Sequence, residues 1–246
     1  MSYRIRCAEI WGGVKVLSQD VSTAGVDASL CSLPGEGAKG GDVYYFSVCS
    51  YDRLTRVALA DMRGHGERVS ELSEWLYGSL QDRMNSRDGA GVLSELNTMV
   101  HARGFQALTT AAVLTYLNGG RLTYSYAGHP PALVSRGGGP WEPLPLTAPP
   151  GVANLPLGAF PRTRYDQSRV ELRRGDRLFL YTDGVLECPG PGGSFLDEHR
   201  LIAALNRSGD GDLPAIRDTV LRTLNEFAGR PLDHDDCTFM AIGIRE

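Results

Sequence analysis

Two pairs of amphipathic segments, set between groups of short β-rich runs, constrain this chain more than any other feature. Residues 43–50 (V-Y-Y-F-S-V-C-S), 56–60, 109–117 and 121–126 are rich in β-branched and aromatic side chains, which suits pleated strands. Between the second and third of these runs, residues 67–84 place Val69, Leu72, Leu76, Leu80 and Met84 on one helical face. Residues 91–103 repeat the pattern with Val92, Leu96, Met99 and Val100, predicting an antiparallel helix pair laid on a sheet. Residues 197–206 and 213–227 (Leu213, Ile216, Val220, Leu224, Phe227) predict a second pair, and 238–244 a last strand. Helices striped on one face must bury that stripe, so the order strands, two helices, strands, two helices, strand predicts an α+β layered sandwich.

Turn chemistry refines the picture. Asn118-Gly119-Gly120 is hairpin chemistry and predicts antiparallel pairing of the strands on either side. Arg174-Gly175-Asp176 predicts a second hairpin between 169–173 and 177–182. Residues 130–161 hold nine of the 14 prolines and read as a loop-rich excursion across the surface, not a domain linker.

Composition excludes several classes. With 25 Lys+Arg against 29 Asp+Glu the formal charge is −4, and no basic stripe suits the wrapping of nucleic acid. The apolar N-terminal run is broken by Arg4, Arg6 and Glu9, unlike a secretory signal. No stretch reaches the roughly 18 apolar residues of a membrane helix. Cys7, Cys31, Cys49, Cys188 and Cys237 are odd in number and lack a C-x-x-C pair, which predicts reduced, small buried hydrophobes in a cytoplasmic protein. Trp11, Trp75 and Trp141 read as packing residues.

Asp outnumbers Glu by 17 to 12, and several aspartates stand at the ends of predicted strands: Asp42 before one, Asp61 and Asp183 after two others, Asp235 and Asp236 before the last. A single strand-end Asp commonly caps a turn. Several brought to one edge of a sandwich need a cation to coexist, and carboxylate with backbone oxygen suits Mg²⁺ or Mn²⁺. The five histidines show no H-E-x-x-H spacing, which disfavours a zinc protease. There is no G-x-S-x-G elbow and no C-x₅-R loop, so a nucleophilic Ser or Cys is not indicated.

The strings G-G-D-V-Y-Y-F (40–46), D-M-R-G-H-G (61–66), T-A-A-V-L-T-Y-L (110–117), Y-A-G-H-P-P-A-L-V (126–134), L-P-L-G (155–158), G-D-R-L-F-L-Y-T-D-G-V-L-E (175–187) and D-D-C-T (235–238) carry a resemblance. In order and spacing they are similar to the PPM-type serine/threonine phosphatases of the SpoIIE and RsbU branch, within the protein phosphatase type 2C superfamily. The resemblance covers about residues 26–244. It implies a four-layer αββα sandwich, two antiparallel sheets flanked by helix pairs, with two Mn²⁺ or Mg²⁺ ions at one edge. Carried onto this chain, Asp61 bridges the ions, Asp42 and the backbone carbonyl of Met62 serve one, and Asp183 and Asp235 serve the other. Asp236 is their neighbour or an alternate ligand. The domain is expected over 26–246, with 1–25 as part of it and no separate sensory region ahead.

The resemblance implies hydrolysis of phosphoserine or phosphothreonine on a regulatory protein, such as a STAS-type anti-anti-sigma partner in a partner-switching cascade. Departures are local: Ala38-Lys39 stands where the family commonly has Glu-Val, and Met62-Arg63 where it has Val-Ser. Arg63 is a candidate contact for substrate phosphate, against the reading of a solvent-facing loop residue. His65 and His129 are candidates to assist a leaving-group proton, against structural hydrogen bonding. The rival readings are a catalytically degenerate regulator that binds a phosphoprotein, and a two-metal nuclease or small-molecule phosphohydrolase.

Overall fold

A computed structural model describes residues 2–245 except 36, 65, 84, 85, 147–153 and 210. His65 and Met84 thus lie outside the described residues. In chain order the elements are β1 (Tyr3–Arg4), β2 (Ile10–Lys15), β3 (Leu17–Ser22), β4 (Val26–Leu33), β5 (Lys39–Cys49), β6 (Leu54–Met62), α1 (Glu67–Gln81) and α2 (Gly89–Arg103). There follow β7 (Thr109–Leu117), β8 (Arg121–Ala127), β9 (Leu133–Ser135), β10 (Trp141–Pro143), β11 (Ser168–Glu171), β12 (Arg177–Tyr181), a short α3 (Asp183–Leu186), α4 (Asp197–Arg207), α5 (Leu213–Ala228) and β13 (Cys237–Ile244).

The strands form two sheets, β1-β3-β4-β13-β12-β9-β10 and β11-β8-β7-β6-β5-β2. Pairing is antiparallel except between β1 and β3. Side-chain alternation with period two sorts each strand between layers. Tyr44, Phe46, Val57 and Leu59 meet Leu30, Met240 and Ile242 between the sheets. Val43, Tyr45, Ala58 and Ala60 face outward onto Leu76, Leu80, Val92 and Leu96 of α1 and α2. On the other side Phe179, Phe239 and Ala241 meet Leu201, Ile216, Val220 and Leu224 of α4 and α5. The result is the four-layer αββα sandwich. The first 25 residues contribute to both sheets, β2 pairing with β5 and β3 with β4.

Asn118-Gly119-Gly120 closes the β7–β8 hairpin, with both glycines at positive φ. The second expected hairpin does not form. β11 pairs with β8 in one sheet, whereas β12 pairs with β13 and β9 in the other, so residues 172–176 cross between the sheets. Gly175 at φ 89° makes the corner, and Asp176 braces it by accepting from the Arg173 and Gly137 amides (2.9 and 3.0 Å). Each strand instead completes a ladder in its own sheet, β11 over four residues against β8 and β12 over five against β13. The proline-rich excursion also holds more structure than expected, because β9 and β10 complete one sheet edge.

α1 ends at Gln81, three residues before the expected boundary, and α2 starts at Gly89, two earlier. Fully buried Arg56 on β6 donates to the carbonyls of Arg83 and Ser86 and so anchors the link between the helices. Arg83 pairs with Glu95 at 2.9 Å, and the Arg103 guanidinium lies 3.8 Å over the Trp75 ring. Trp11 and Trp141 pack as expected, and Cys31, Cys188 and Cys237 are buried, but Cys7 is exposed. Among the described residues no helix is long and apolar enough to cross a membrane.

Candidate functional site

The same alternation that fills the core aims polar groups inward at one edge of the sandwich. Asp42 continues the inward face of Tyr44 and Phe46, and Asp61 that of Val57 and Leu59. The two stand one step beyond the Val43–Ala60 pair, on neighbouring strands. In the other sheet, Thr182 follows inward Leu178 and Leu180, while Thr238 and Asp236 precede inward Met240. The antiparallel β12–β13 register brings Asp183 and Asp235 to that same edge. Thus two strand pairs, one from each sheet, bring four aspartates together from positions up to 193 residues apart (235 − 42).

A cleft of about 230 Å³ at this edge is lined by Asp61, Asp183 and Asp235, with Arg63, Gly64, Thr110 and Pro156 on its walls. Asp42 lies beneath, 2% exposed. Its Oδ2 accepts from Thr182 Oγ1 at 2.9 Å, a bond that ties the two sheets, and Thr182 Oγ1 in turn accepts from the Thr238 amide at 3.0 Å. Among the described residues, Asp42 Oδ1 is buried with no hydrogen-bond partner. A buried carboxylate oxygen without a donor is costly unless a cation faces it.

Electrostatics point the same way. The Asp42 carboxyl is pushed well above the usual carboxylate range by burial, then by the charge of Asp236, with the Thr238 and Thr182 hydroxyls opposing. Asp61 is pushed up by burial and by Asp42, Asp183 and Asp235, and Asp235 is raised chiefly by burial. Glu187, absent from the expected set, is raised by burial and by Asp183 and Asp235. Such mutual repulsion is relieved by divalent cations.

The donor set fits Mg²⁺ or Mn²⁺. Among the described residues no three Asp, Glu, His or Cys side chains close around one point as a cage. An ion here would take one or two carboxylates and complete its shell with carbonyl oxygen and water, which is the habit of Mg²⁺. The Met62 carbonyl is suitably near: a Cβ on Gly41, beside Asp42, would come within 2.7 Å of it.

Asp236 stands as a neighbour of these aspartates, held by backbone. Its Oδ1 accepts from the Gly35 amide at 2.8 Å and its Oδ2 from the Gly41 amide, so both oxygens are engaged by backbone. It clasps β13 to the β4–β5 connection and to the backbone just before Asp42. Gly40 is required for this approach, because a Cβ there would lie 2.5 Å from Asp236 Oδ1.

Arg63 lines the cleft, with its guanidinium 4.4 Å over the ring of exposed Phe105. His129 is buried, its Nδ1 paired with Thr110 Oγ1 at 2.9 Å, and burial pushes its pKa down to about 3. It is neutral at ordinary pH, which favours its structural reading over that of a proton donor. His234 Nε2 pairs with the Gly184 carbonyl at 2.9 Å and steadies the loop that carries Asp235. Thr182, Thr238 and His234 were missed as site residues although the first two sit inside T-D-G and D-D-C-T; strand parity was the available signal. Nothing local points to Phe105 or Pro156.

Comparison with known proteins gives a consistent result. A family model described as Stage II sporulation protein E (SpoIIE) matches residues 51–245, a span that includes Asp61, Asp183 and Asp235 but not Asp42. The chain is 24% identical over 212 residues to phosphoserine phosphatase RsbP of Bacillus subtilis (strain 168), covering 83% of this chain and 49% of that protein. It therefore spans about half the length of that relative. Among solved structures, the RsbU and RsbW domains of Rv1364c from Mycobacterium tuberculosis superpose with a TM-score of 0.76 at 20% identity, covering 95% of this chain and 62% of that one. The catalytic domain of the serine/threonine protein phosphatase PstP, in complex with two manganese ions, gives 0.56 at 21% identity, covering 90% and 99%.

Proposed function

The chain belongs to the stage II sporulation protein E (SpoIIE) family, and from that premise we propose that it is a metal-dependent phosphatase acting on phosphoserine or phosphothreonine in a regulatory protein. The observation that carries the reading is the convergence of Asp42, Asp61, Asp183 and Asp235 on one sandwich edge, three of them lining a single cleft. Asp42, Asp61, Asp183, Asp235 and the Met62 carbonyl are the groups that would hold two Mn²⁺ or Mg²⁺. Bound there, the ions supply Lewis-acid activation of water and neutralise phosphate charge.

The chain's own residues do the rest. Thr182 orients Asp42 through its hydroxyl, and Asp236 holds the backbone ahead of Asp42 in place. Arg63 is the candidate phosphate contact: it lines the cleft and has no carboxylate partner among the described residues. A guanidinium can grip phosphate with two parallel hydrogen bonds. Residues 1–25 belong to the same domain in this reading, since β2 and β3 extend both sheets. The partner class, a STAS-type protein in a partner-switching cascade, follows from the family resemblance; RsbP is named a phosphoserine phosphatase.

Mn²⁺-dependent hydrolysis of p-nitrophenyl phosphate tests the enzyme reading, with Asp61→Asn as the control. If neither Mn²⁺ nor Mg²⁺ raises turnover above that variant, a phosphoprotein-binding regulator remains. Incubation with phosphorylated STAS proteins from the same organism, followed by mass measurement, tests the partner. Arg63→Ala should raise KM for the phosphoprotein about tenfold or more, the scale of a lost charge-assisted hydrogen bond; an unchanged KM removes the phosphate contact.

A further inference from the structure

We infer that the end of the sandwich opposite the carboxylates holds a second ligand site, an anion pocket for a small molecule bearing several adjacent phosphate groups. A cavity of about 680 Å³ opens there between Arg4, Asp27, Arg174 and Arg245, with Ala24 and Ile244 in its wall. That volume lies in the range of small-molecule sites, about 300–1,000 Å³, and exceeds what a single simple anion fills. Three arginines line it against one carboxylate.

The cavity is assembled from four separate chain segments on a fixed backbone. β1 is only two residues long, and its parallel pairing sets Arg4 opposite Ser22. The crossover that replaces the expected hairpin delivers Arg174, and its corner is tied to the end of β13 by Gly175 N to Ile244 O at 3.2 Å and Ile244 N to Asp176 O at 3.0 Å. Arg245 N donates to Gly25 O at 3.0 Å, and its Nη1 to Thr23 O at 3.1 Å. The one carboxylate, Asp27, stands 3.4 Å from Arg245. Arg4 and Arg174 have no hydrogen-bond or carboxylate partner from their side chains among the described residues. Arg supplies a planar fork of donors matched to phosphate oxygens, and three forks around one cavity suit a chain of phosphates better than one isolated charge.

The pocket is separate from the carboxylate cleft. β13 runs the whole way between them, and its eight residues at about 3.3 Å each place the two about 25 Å apart. An anion bound here touches no residue of the proposed phosphatase centre, so this site stands or falls independently of that reading.

Titration of the full chain with inorganic tripolyphosphate, in EDTA at low salt and followed by calorimetry, tests the proposal. The expected result is one-to-one binding, weakened about tenfold or more in Arg4→Ala and in Arg174→Ala, retained in Asp61→Asn, and reduced by added salt. Circular dichroism of the variants confirms that they fold. The absence of binding, affinity indifferent to both arginine changes, or binding abolished by Asp61→Asn would each overturn it. Tighter binding of a polyglutamate peptide than of tripolyphosphate would also overturn it, assigning the pocket to an acidic protein segment instead.

Discussion

β13 joins two ends of the molecule that gather charge in opposite ways. At its start, Asp42 and Asp236 are 2% and 3% exposed, and Asp42 and Asp61 are driven toward the neutral form by burial and by their neighbours. At its finish, Arg4, Arg174 and Arg245 gather three charges of one sign around a cavity, but each is exposed. Water screens the arginines, so their crowding costs little and their affinity for a ligand should follow ionic strength. Asp42, buried beneath the cleft, has no such screen. Burial turns that proximity into a demand for a counter-ion, so the proposed reading expects metal to govern both stability and activity at that end.

The largest effect that sharpens this contrast is Asp61→Asn, expected to lower Mn²⁺-dependent turnover more than about a thousandfold, since it removes the residue facing both other cleft aspartates. Turnover within tenfold of wild type would mean the buried end is not the reactive one.

Next comes metal itself. Saturating Mn²⁺, about a hundred times Kd, should add about 2.7 kcal/mol, or roughly 5–10 °C in Tm for a domain of this size. The shift should depend on pH with a definite sign. Because the folded, metal-free carboxyls of Asp42 and Asp61 titrate above their unfolded values, the folded state holds protons that the unfolded state has released. The contribution of these two carboxyls to the stability of the metal-free protein is therefore fully present below the unfolded carboxylate range, about pH 4, and is lost as pH rises through the raised values. Bound metal removes the penalty, so the Mn²⁺-induced shift in Tm should be larger near pH 8 than near pH 5. An equal shift at both, read by scanning calorimetry, would contradict the repulsion.

The aspartates of the buried end were legible in the sequence as strand-end residues and through the family resemblance, and parity explains how the fold gathers them. Asp42 and Asp61 sit in strands whose alternation is plain, so period two alone aims them where Phe46 and Leu59 point. The Asn118 turn and all four long helices were readable for similarly local reasons. The unread features depend on distant partners. The 172–176 corner has the residues of a hairpin turn, and only the existence of two separate sheets makes it a crossover. The bond from Thr182 to Asp42 spans 140 positions. The sequence left Asp236 as a neighbour or an alternate ligand, because a carboxylate's partners do not show in its own letter; two backbone amides donate to it. The exposed end left no trace, since its three arginines come from three segments without a shared motif.

Asp236 offers the next test. Asp236→Asn keeps one carbonyl acceptor but cannot accept from both the Gly35 and Gly41 amides in the same way. A residue that positions a ligand in this manner is expected to cost about 10–100-fold in metal affinity, measurable by Mn²⁺ calorimetry. Asp236→Ala would further strand two amides, at about 1–3 kcal/mol each where they are buried. Asp236→Asn with unaltered Mn²⁺ affinity and lowered stability would reduce the clasp to a folding role.

The smallest effect comes from removing a carboxylate at the other end. Asp27 is about half exposed and stands 3.4 Å from the Arg245 guanidinium, a pair that water screens and that two solvated side chains lose entropy to hold. Exposed pairs of this kind contribute about 0–1 kcal/mol, so Asp27→Ala should move Tm by no more than about 2–4 °C, with little dependence on Mn²⁺. The same chemical change at Asp42 deletes a buried acceptor that ties the two sheets through Thr182, and its effect should switch sign with metal: relief of repulsion in EDTA, loss of a ligand in Mn²⁺. Thermal scans of Asp27→Ala and Asp42→Ala with and without Mn²⁺ separate the two behaviours. If both variants respond to metal alike, burial does not distinguish the ends of β13, and the carboxylate edge has no greater need of a cation than the surface has.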